Sequence, residues 1–148
     1  MGTTARHPDA RVARVIDFFE HLGPADVLRL RELYVDDAFF KDPFNEVRSR
    51  QAIEGIFGHM FVALDEPSFT IGEVVAQGEQ CFLAWDFHFR MKRFSRELQV
   101  IRGGTHIRFA PDGRIAMHRD YWDAAEELYE KLPVVGVLMR WLRRRANS

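Results

Sequence analysis

The chain has little cysteine, little net charge and no long apolar run. Its single cysteine, Cys81, excludes a disulfide within the chain and is compatible with a reducing compartment. A formal net charge of -1 gives no global attraction to nucleic acid or to an acidic membrane. No run of about 18 or more apolar residues and no secretory leader is recognisable. We therefore expect a cytoplasmic protein with no nucleic-acid partner and no membrane span.

Apolar residues, by contrast, are plentiful. They make up 47% of the 148 residues, which is enough for one domain with a hydrophobic core. There are 13 phenylalanines, which implies either a core of bulky rings or a large apolar cavity. The patterns predict a disordered tail over residues 1–8, a single domain over residues 9–131, and a C-terminal amphipathic basic helix over residues 132–148.

The spacing of apolar residues predicts mainly helices in the N-terminal part of the chain and mainly strands after them. Apolar residues recur with helical spacing over residues 9–22, over residues 26–34 and in a third segment that follows Ser49 as its N-cap. Alternation and turn residues then predict strands over residues 38–41, 68–76, 81–94, 97–110 and 115–122. Asp123 caps a further short helix. Helices followed by a mostly antiparallel sheet describe an α+β fold.

The predicted strand over residues 81–94 has two different faces. Trp85, Phe87 and Phe89 alternate along one of them. If the helices cover the other face, these rings form an apolar surface too large to leave exposed on a monomer, so we expect a homodimer through this outer face. On the following strand, Gly103 and Gly104 indicate a β-bulge that bends the sheet.

Three aspartates interrupt otherwise apolar strand segments. Asp42, Asp86 and Asp120 each lie among aromatic and apolar neighbours, where a carboxylate is costly without partners or a task. A shared, partly dry pocket is the simplest common explanation. Within it, repulsion and desolvation would keep one carboxylate neutral beside an ionised one, which is a general acid and general base pair. We therefore predict these three residues as catalytic.

Two segments carry a family resemblance. Segment 35–43 ends in Asp-Pro and resembles the ketosteroid isomerase segment whose Asp is the general base, a role that falls on Asp42. Segment 118–123 resembles the limonene epoxide hydrolase motif Trp-Arg-Asp-Tyr-Phe-Asp, so Asp120 and Asp86 fall on the two catalytic aspartates of those enzymes. The chain thus resembles the nuclear transport factor two-like superfamily, which includes SnoaL-like proteins. The resemblance implies a cone-shaped curved sheet wrapped around N-terminal helices and enclosing a pocket.

The chain also departs from both enzyme patterns. Phe18 and Thr105 stand where the isomerases have their oxyanion donors, and Ala84 stands where the hydrolases have an Arg between their aspartates. Phe40 and Asp42 replace the hydrolases' Tyr and Asn. By strand alternation, His88, Arg90 or His118 could supply the missing positive charge. The predicted pocket-lining residues are Phe18, Phe40, Phe57, Phe61, Ala84, His88, Thr105, His118 and Trp122.

Two classes of function follow from these observations. The first is a cofactor-free isomerase or hydrolase that acts on a small, apolar, oxygen-bearing ligand by carboxylate acid–base chemistry. The second is a non-catalytic ligand-binding module of the same fold. A pure oligomerisation scaffold would instead have its cavity filled by phenylalanines. No ligand spacing typical of a metal site is present, so we expect neither a metal nor another cofactor.

Overall fold

The computed structural model describes residues 7–92, 96–127, 141–142 and 144–146. Its helices are α1 (Ala10–Glu20), α2 (Leu30–Leu33), α3 (Arg50–Ala63) and α4 (Ala124–Glu127), with a 3₁₀ turn at Pro24–Arg29. Its strands are β1 (Tyr34–Lys41), β2 (Glu46–Val47), β3 (Leu64–Gln77), β4 (Gln80–Met91), β5 (Leu98–Phe109) and β6 (Ile115–Tyr121).

The two long helices begin at side-chain caps. The Asp9 carboxylate accepts a hydrogen bond from the Arg11 backbone N–H at 2.9 Å, and the Ser49 hydroxyl accepts one from the Ala52 N–H at 3.0 Å. Both bonds satisfy backbone donors that the first helical turn leaves unpaired. The N-cap predicted at Ser49 is therefore confirmed. Each helix buries one apolar face, which includes Phe19 on α1 and Phe57 on α3.

The predicted second helix over residues 26–34 is confirmed in position but not as one α-helix, and it ends at Leu33. The chain forms the 3₁₀ turn and then only the four residues of α2. Tyr34 already has extended backbone angles and opens β1, where it pairs in parallel with Ile115. Sheet pairing thus overrides the helical spacing of the apolar residues before it. On β1 the Tyr34 side chain is fully buried in the interior.

A single six-stranded sheet carries the fold. Its strand order is β2-β1-β6-β5-β4-β3, and every neighbouring pair is antiparallel except β1 and β6. Helix α1 packs against β3, while α3 packs against both β1 and β3. The protein is therefore an α+β fold with a curved, open and mostly antiparallel sheet, as the sequence predicts. One face of the sheet meets the helices, and we call it the inner face.

The orientation predicted for β4 is wrong. Trp85, Phe87 and Phe89 are buried on the inner face, whereas Phe82 and Asp86 are exposed on the other, outer face. Alternation separates the side chains into two sets but does not say which set points inward. The large apolar side chains point inward because burying them removes the most apolar surface from water. A homodimer built on those three rings is thereby excluded.

The Gly103-Gly104 pair does not form the predicted bulge, since β4 and β5 pair in continuous register through both residues. The glycines instead leave room for aromatic rings. A Cβ at Gly103 would lie 2.6 Å from the Trp85 ring, and one at Gly104 would lie 2.5 Å from the Phe82 ring. Gly103 therefore fixes how Trp85 lies across the inner face.

Gly103→Ala should consequently displace the Trp85 ring. We expect a loss of about 1–3 kcal/mol in the free energy of unfolding from overpacking, with a shift in tryptophan fluorescence of the folded protein. The matched control is Gly58→Ala on α3, whose new Cβ would meet only a Val27 methyl at 3.9 Å. That change should stabilise the protein by up to about 1 kcal/mol. Equal effects of the two substitutions in urea unfolding would contradict this account.

The ends of the chain are only partly described. Residues 1–6 of the predicted tail lie outside the described residues, as do residues 128–131 of the predicted domain and residues 132–140, 143 and 147–148 of the C-terminal segment. The prediction of an amphipathic C-terminal helix is therefore untested over most of its length. None of the helices in the described ranges is long and apolar enough to cross a membrane.

Candidate functional site

A cavity of about 730 Å³ lies between α3 and the inner face of the sheet. This volume is in the range of small-molecule binding sites. Most of its wall is apolar, and the sheet side is aromatic: Phe40, Phe69, Trp85, Phe87, Phe89 and Trp122. The described phenylalanines thus line a cavity rather than fill it, which argues against the pure scaffold.

Close ring contacts order the aromatic wall. Phe69 stacks on Phe87 with 4.6 Å between ring centroids, and Phe87 stacks on Phe89 at 5.3 Å. The Phe69 ring also meets Trp85 edge to face at 5.7 Å. Such pairs favour fixed relative orientations. The wall is therefore preorganised and offers an apolar ligand a surface with almost no hydrogen-bonding groups.

Asp120 brings a carboxylate to this wall. It lies on β6, directly opposite Thr105 on β5, and its side chain is 17% exposed. Its Oδ1 accepts a hydrogen bond from the Thr105 hydroxyl at 2.6 Å and lies 2.7 Å from His118 Nε2. The Thr105 hydroxyl in turn accepts a hydrogen bond from Trp85 Nε1 at 2.8 Å. Among the described residues, Asp120 Oδ2 has no hydrogen-bond partner.

The other ring nitrogen of His118 continues this network into the core. His118 Nδ1 lies 2.7 Å from the hydroxyl of Tyr34, and both side chains are buried. Burial, and then the charge of Asp120, raise the pKa of Tyr34 well above its usual value, so the phenol keeps its proton. A second, small cavity of about 30 Å³ adjoins His118, Thr105 and Asp120, which is room for about one or two waters.

Asp42 lines the rim of the large cavity, as predicted, but its carboxylate also holds a turn. Its Oδ1 accepts hydrogen bonds from the backbone N–H groups of Phe44 and Asn45 at 2.8 and 2.7 Å. The Asn45 side-chain amide lies 3.1 and 3.2 Å from the two carboxylate oxygens. This is the Asx-turn geometry that often follows an Asp before Pro. Asp42 is therefore less free to act than Asp120.

Asp86 does not join them. It lies exposed on the outer face of β4, as does Ala84, and the half-buried His88 lies on the same face, so the predictions that these three residues line the pocket are wrong. The same reversal of strand faces explains all three errors. Of the candidates for the missing positive charge, His118 alone contacts a predicted aspartate, and it cannot lie between Asp120 and Asp86 because the sheet separates them.

Two further pocket predictions fail on the helices. Phe18 is only partly buried and packs against Phe19 and under the Arg29 guanidinium, away from the cavity. Phe61 packs partly buried against the core and does not line the cavity. Phe19 takes the inward position instead, with its ring 6.0 Å from that of His118. By contrast, Phe40, Phe57 and Trp122 line the large cavity as predicted, and Thr105 and His118 line the small one.

Sequence reasoning missed two residues of the network. The sequence predicts Tyr34 on a helix and Trp85 on the outer face, whereas both side chains are buried and belong to the hydrogen-bond network. A usable signal existed for Trp85, since its face of β4 carries five large apolar side chains: Leu83, Trp85, Phe87, Phe89 and Met91. For Tyr34 no local signal existed, because its partner is 84 residues away. No three His, Cys, Asp or Glu side chains meet as metal ligands within the described residues.

Comparison with known proteins places this architecture in a family. The family model of the SnoaL-like domain matches residues 15–118, which is most of the chain. The chain belongs to the SnoaL-like family. A search of curated proteins finds no match to this SnoaL-like chain.

Solved structures share the fold of this SnoaL-like chain at low sequence identity. A protein with a ketosteroid isomerase-like fold from Catenulispora acidiphila, crystallised with trimethylamine, is 15% identical, with a TM-score of 0.71 over 86% of this chain and 96% of its own. A protein from Jannaschia sp. described as a SnoaL-like polyketide cyclase is 14% identical, with a TM-score of 0.69 over 84% of this chain and 94% of its own. SalBIII, an epoxide hydrolase/cyclase-like enzyme of pyran ring formation in salinomycin, is 21% identical, with a TM-score of 0.67 over 76% of this chain and 90% of its own. These likenesses establish the nuclear transport factor two-like fold.

Proposed function

We propose that this SnoaL-like protein is a cofactor-independent isomerase or hydrolase in which Asp120 moves a proton to or from an apolar, oxygen-bearing ligand. One observation carries the proposal. Asp120 lies at the wall of a large aromatic cavity, with Oδ1 in hydrogen bonds to the Thr105 hydroxyl and His118 Nε2 and with Oδ2 without a partner among the described residues. An ionised carboxylate fixed in this way next to a bound ligand is the arrangement that a general base requires.

The chemistry follows from the surroundings of that oxygen. Asp120 Oδ2 can take a proton from a carbon next to a carbonyl group or from a water molecule, and can return it to an oxygen of the ligand. Asp42 at the rim is the second carboxylate of the proposed site. The relatives described as a polyketide cyclase and as an epoxide hydrolase/cyclase-like enzyme support this reaction class. Asp86 has no part in it.

Charge narrows the ligand class further. Among the described residues that line the large cavity there are two carboxylates, Asp42 and Asp120, and no Lys or Arg. A carboxylate or phosphate ligand would be desolvated there without a Lys or Arg partner, and the one histidine among these residues, His59, is exposed on α3. The proposed ligand is therefore neutral where it enters the cavity, for example a lipophilic ketone, epoxide or lactone.

A thermal-shift screen of such ketones, epoxides and lactones tests this proposal, followed by product analysis of every ligand that stabilises the protein. Each neutral compound is paired with a carboxylate of the same carbon skeleton. We expect stabilisation by the neutral member of a pair, little or none by the carboxylate, and turnover of at least one ligand. Equal stabilisation by both members would contradict the proposed ligand class. Ligand binding without any turnover would contradict the proposed reaction.

A non-catalytic ligand-binding module remains the second candidate, and one observation favours it. The Trp85 N–H, the Thr105 hydroxyl hydrogen and the His118 and Tyr34 hydrogens are all used within the network. In the described part of the wall, therefore, few donors are left to stabilise a developing oxyanion, a contribution that is usually large. Binding at full occupancy with no product from any ligand class would favour this candidate.

We also propose that the protein is a homodimer through the outer face of the sheet. That face exposes Phe82, Tyr121 and Val75 around one hollow, and an apolar patch of this kind is typical of an interaction surface. Light scattering after size exclusion should give twice the chain mass, and Phe82→Glu should give a monomer. Val62→Glu, at an exposed apolar residue on α3, is the control and should leave the mass unchanged. A monomeric wild type would contradict the proposal.

A cytoplasmic location is proposed on the state of Cys81. Its thiol is free and buried, and burial raises its pKa to about 11. Such a thiol is inert and compatible with a reducing compartment.

A further inference from the structure

Hydrogen-bond directions in the Asp120 network follow from its two ends. The Trp85 indole N–H can only donate, so the Thr105 hydroxyl accepts there and gives its own hydrogen to Asp120. An ionised carboxylate can only accept, so His118 Nε2 must carry a hydrogen and donate it to Asp120 Oδ1. Two donors thus meet at one carboxylate oxygen.

The hydrogen bond with Tyr34 determines whether His118 Nδ1 carries a hydrogen. If His118 were an imidazolium ion, Nδ1 would donate to the Tyr34 hydroxyl, whose own hydrogen would then lack an acceptor among the described residues. Tyr34 is fully buried, and an unsatisfied buried donor costs about 1–3 kcal/mol. If His118 is neutral, the Tyr34 hydroxyl donates to Nδ1 and every hydrogen has an acceptor. The chain of donation therefore runs from Tyr34 to His118 to Asp120.

No other charged group disturbs this assignment within the described residues. On its own strand, His118 meets Asp120, and on β1 it meets Tyr34. The other rings against it are Phe19 of α1 and Phe40 of β1, at 6.0 and 4.7 Å between centroids. The imidazole is thus enclosed by aromatic rings, one phenol and one carboxylate.

We infer that Tyr34 and His118 are positioning residues that fix Asp120 with Oδ1 blocked and Oδ2 as its only reactive oxygen. The role in a reaction rests on the proposed function, whereas the hydrogen-bond chain does not. His118 has no free nitrogen in this arrangement, so it orients the base and does not itself carry the transferred proton. The tautomer with hydrogen on Nε2 is the one that permits this role.

Nitrogen NMR of the full chain with labelled histidine tests the hydrogen-bond chain without a substrate. The protein has 6 histidines, and His118→Gln identifies the signals of His118. At pH 8 we expect a neutral ring with hydrogen on Nε2. Tyr34→Phe keeps the ring volume but removes the donor to Nδ1, so the Nδ1 signal should move downfield. An imidazolium pattern, hydrogen on Nδ1, or an unchanged Nδ1 signal in Tyr34→Phe would overturn the inference.

The positioning role is tested with styrene oxide, an apolar epoxide, as the probe. The Asp120 carboxylate can open the epoxide ring of this probe in two ways. In the first, Oδ2 attacks a ring carbon, an ester bond forms, the ring C–O bond breaks and the alkoxide takes a proton from water. In the second, Asp120 takes a proton from an attacking water and returns it to the opening ring oxygen. Consumption above the buffer rate is measured as ester on the protein and as diol.

We expect His118→Leu to slow this consumption by roughly 10²-fold, as misplacement of a reacting group does. His118→Gln, which keeps an N–H donor towards Asp120, should restore much of the rate. Consumption by His118→Leu at the wild-type rate would overturn the positioning role and leave the proposed function standing. Failure of the wild type to consume the probe, with the NMR pattern intact, would count against the proposed function and leave the hydrogen-bond chain supported.

Discussion

Asp120→Asn should lower turnover of the ligand found in the screen by about 10²- to 10⁴-fold, which is the usual contribution of a general acid or base. The amide occupies nearly the same volume and its oxygen can still accept the Thr105 hydrogen bond, so the fold should persist. What it loses is the ability to take a proton at the position of Oδ2. The measurement is steady-state kinetics on the wild type and the variant, with circular dichroism to verify the fold.

Asp86→Asn is the matched control for that experiment. It makes the same chemical change on an aspartate that is exposed on the opposite side of the same sheet. Its turnover should therefore equal that of the wild type. If Asp120→Asn kept more than about a tenth of the wild-type turnover, the role proposed for Asp120 would be wrong. If both variants lost activity equally, the cause would lie outside the cavity.

The sequence predicts those parts of the fold that depend on local patterns. The cap at Ser49 and the long alternating strands are set by neighbours a few residues away, and they are found where expected. The Asp120 segment is recognisable for a similar reason. A carboxylate in an apolar strand needs partners, and Asp120 has them in Thr105 and His118. The free-energy cost of burying a carboxylate can thus be recognised from the apolar residues next to it in the sequence.

Features that depend on contacts between residues far apart in the chain cannot be predicted from the local sequence. The partner of Tyr34 lies 84 residues further along, and it is reached only because β1 runs parallel to β6. Nothing in the sequence near Tyr34 distinguishes that strand from a helix. Similarly, the alternation in β4 gives two sets of side chains, and only the position of the helices assigns Asp86 to the outside. A pair of aspartates in similar strand segments is therefore not sufficient to define one pocket.

The departures from the enzyme patterns gain a physical meaning from this arrangement. Thr105 stands where the isomerases have an oxyanion donor, yet its hydroxyl lies inside the network, between the Trp85 N–H and the Asp120 carboxylate. At this position the hydroxyl therefore donates to Asp120, the proposed base, rather than to a ligand. The departure at Thr105 thus coincides with a hydrogen-bond network that is closed around Asp120.

Thr105→Val should be the most destabilising isosteric change in the site. Valine has nearly the same shape as threonine, but it removes the hydrogen bond to the Asp120 carboxylate, which contributes about 1.5–3 kcal/mol, and leaves the buried Trp85 N–H without an acceptor. We expect a loss of about 3 kcal/mol in the free energy of unfolding, measured in urea. Turnover should fall as well, because Asp120 then has one donor instead of two.

Two companion variants separate the hydroxyl from the packing. Thr105→Ser keeps the hydroxyl and should lose less than about 1 kcal/mol, since it removes one methyl group. In Trp85→Phe the indole N–H is absent, so adding Thr105→Val should cost about 1 kcal/mol less than it does in the wild type. Additive losses in that cycle, or a loss below about 0.5 kcal/mol for Thr105→Val alone, would show that the Trp85–Thr105–Asp120 bonds do not stabilise the folded protein. Because the same hydroxyl orients the proposed base, stability and turnover should fall together in Thr105→Val and recover together in Thr105→Ser.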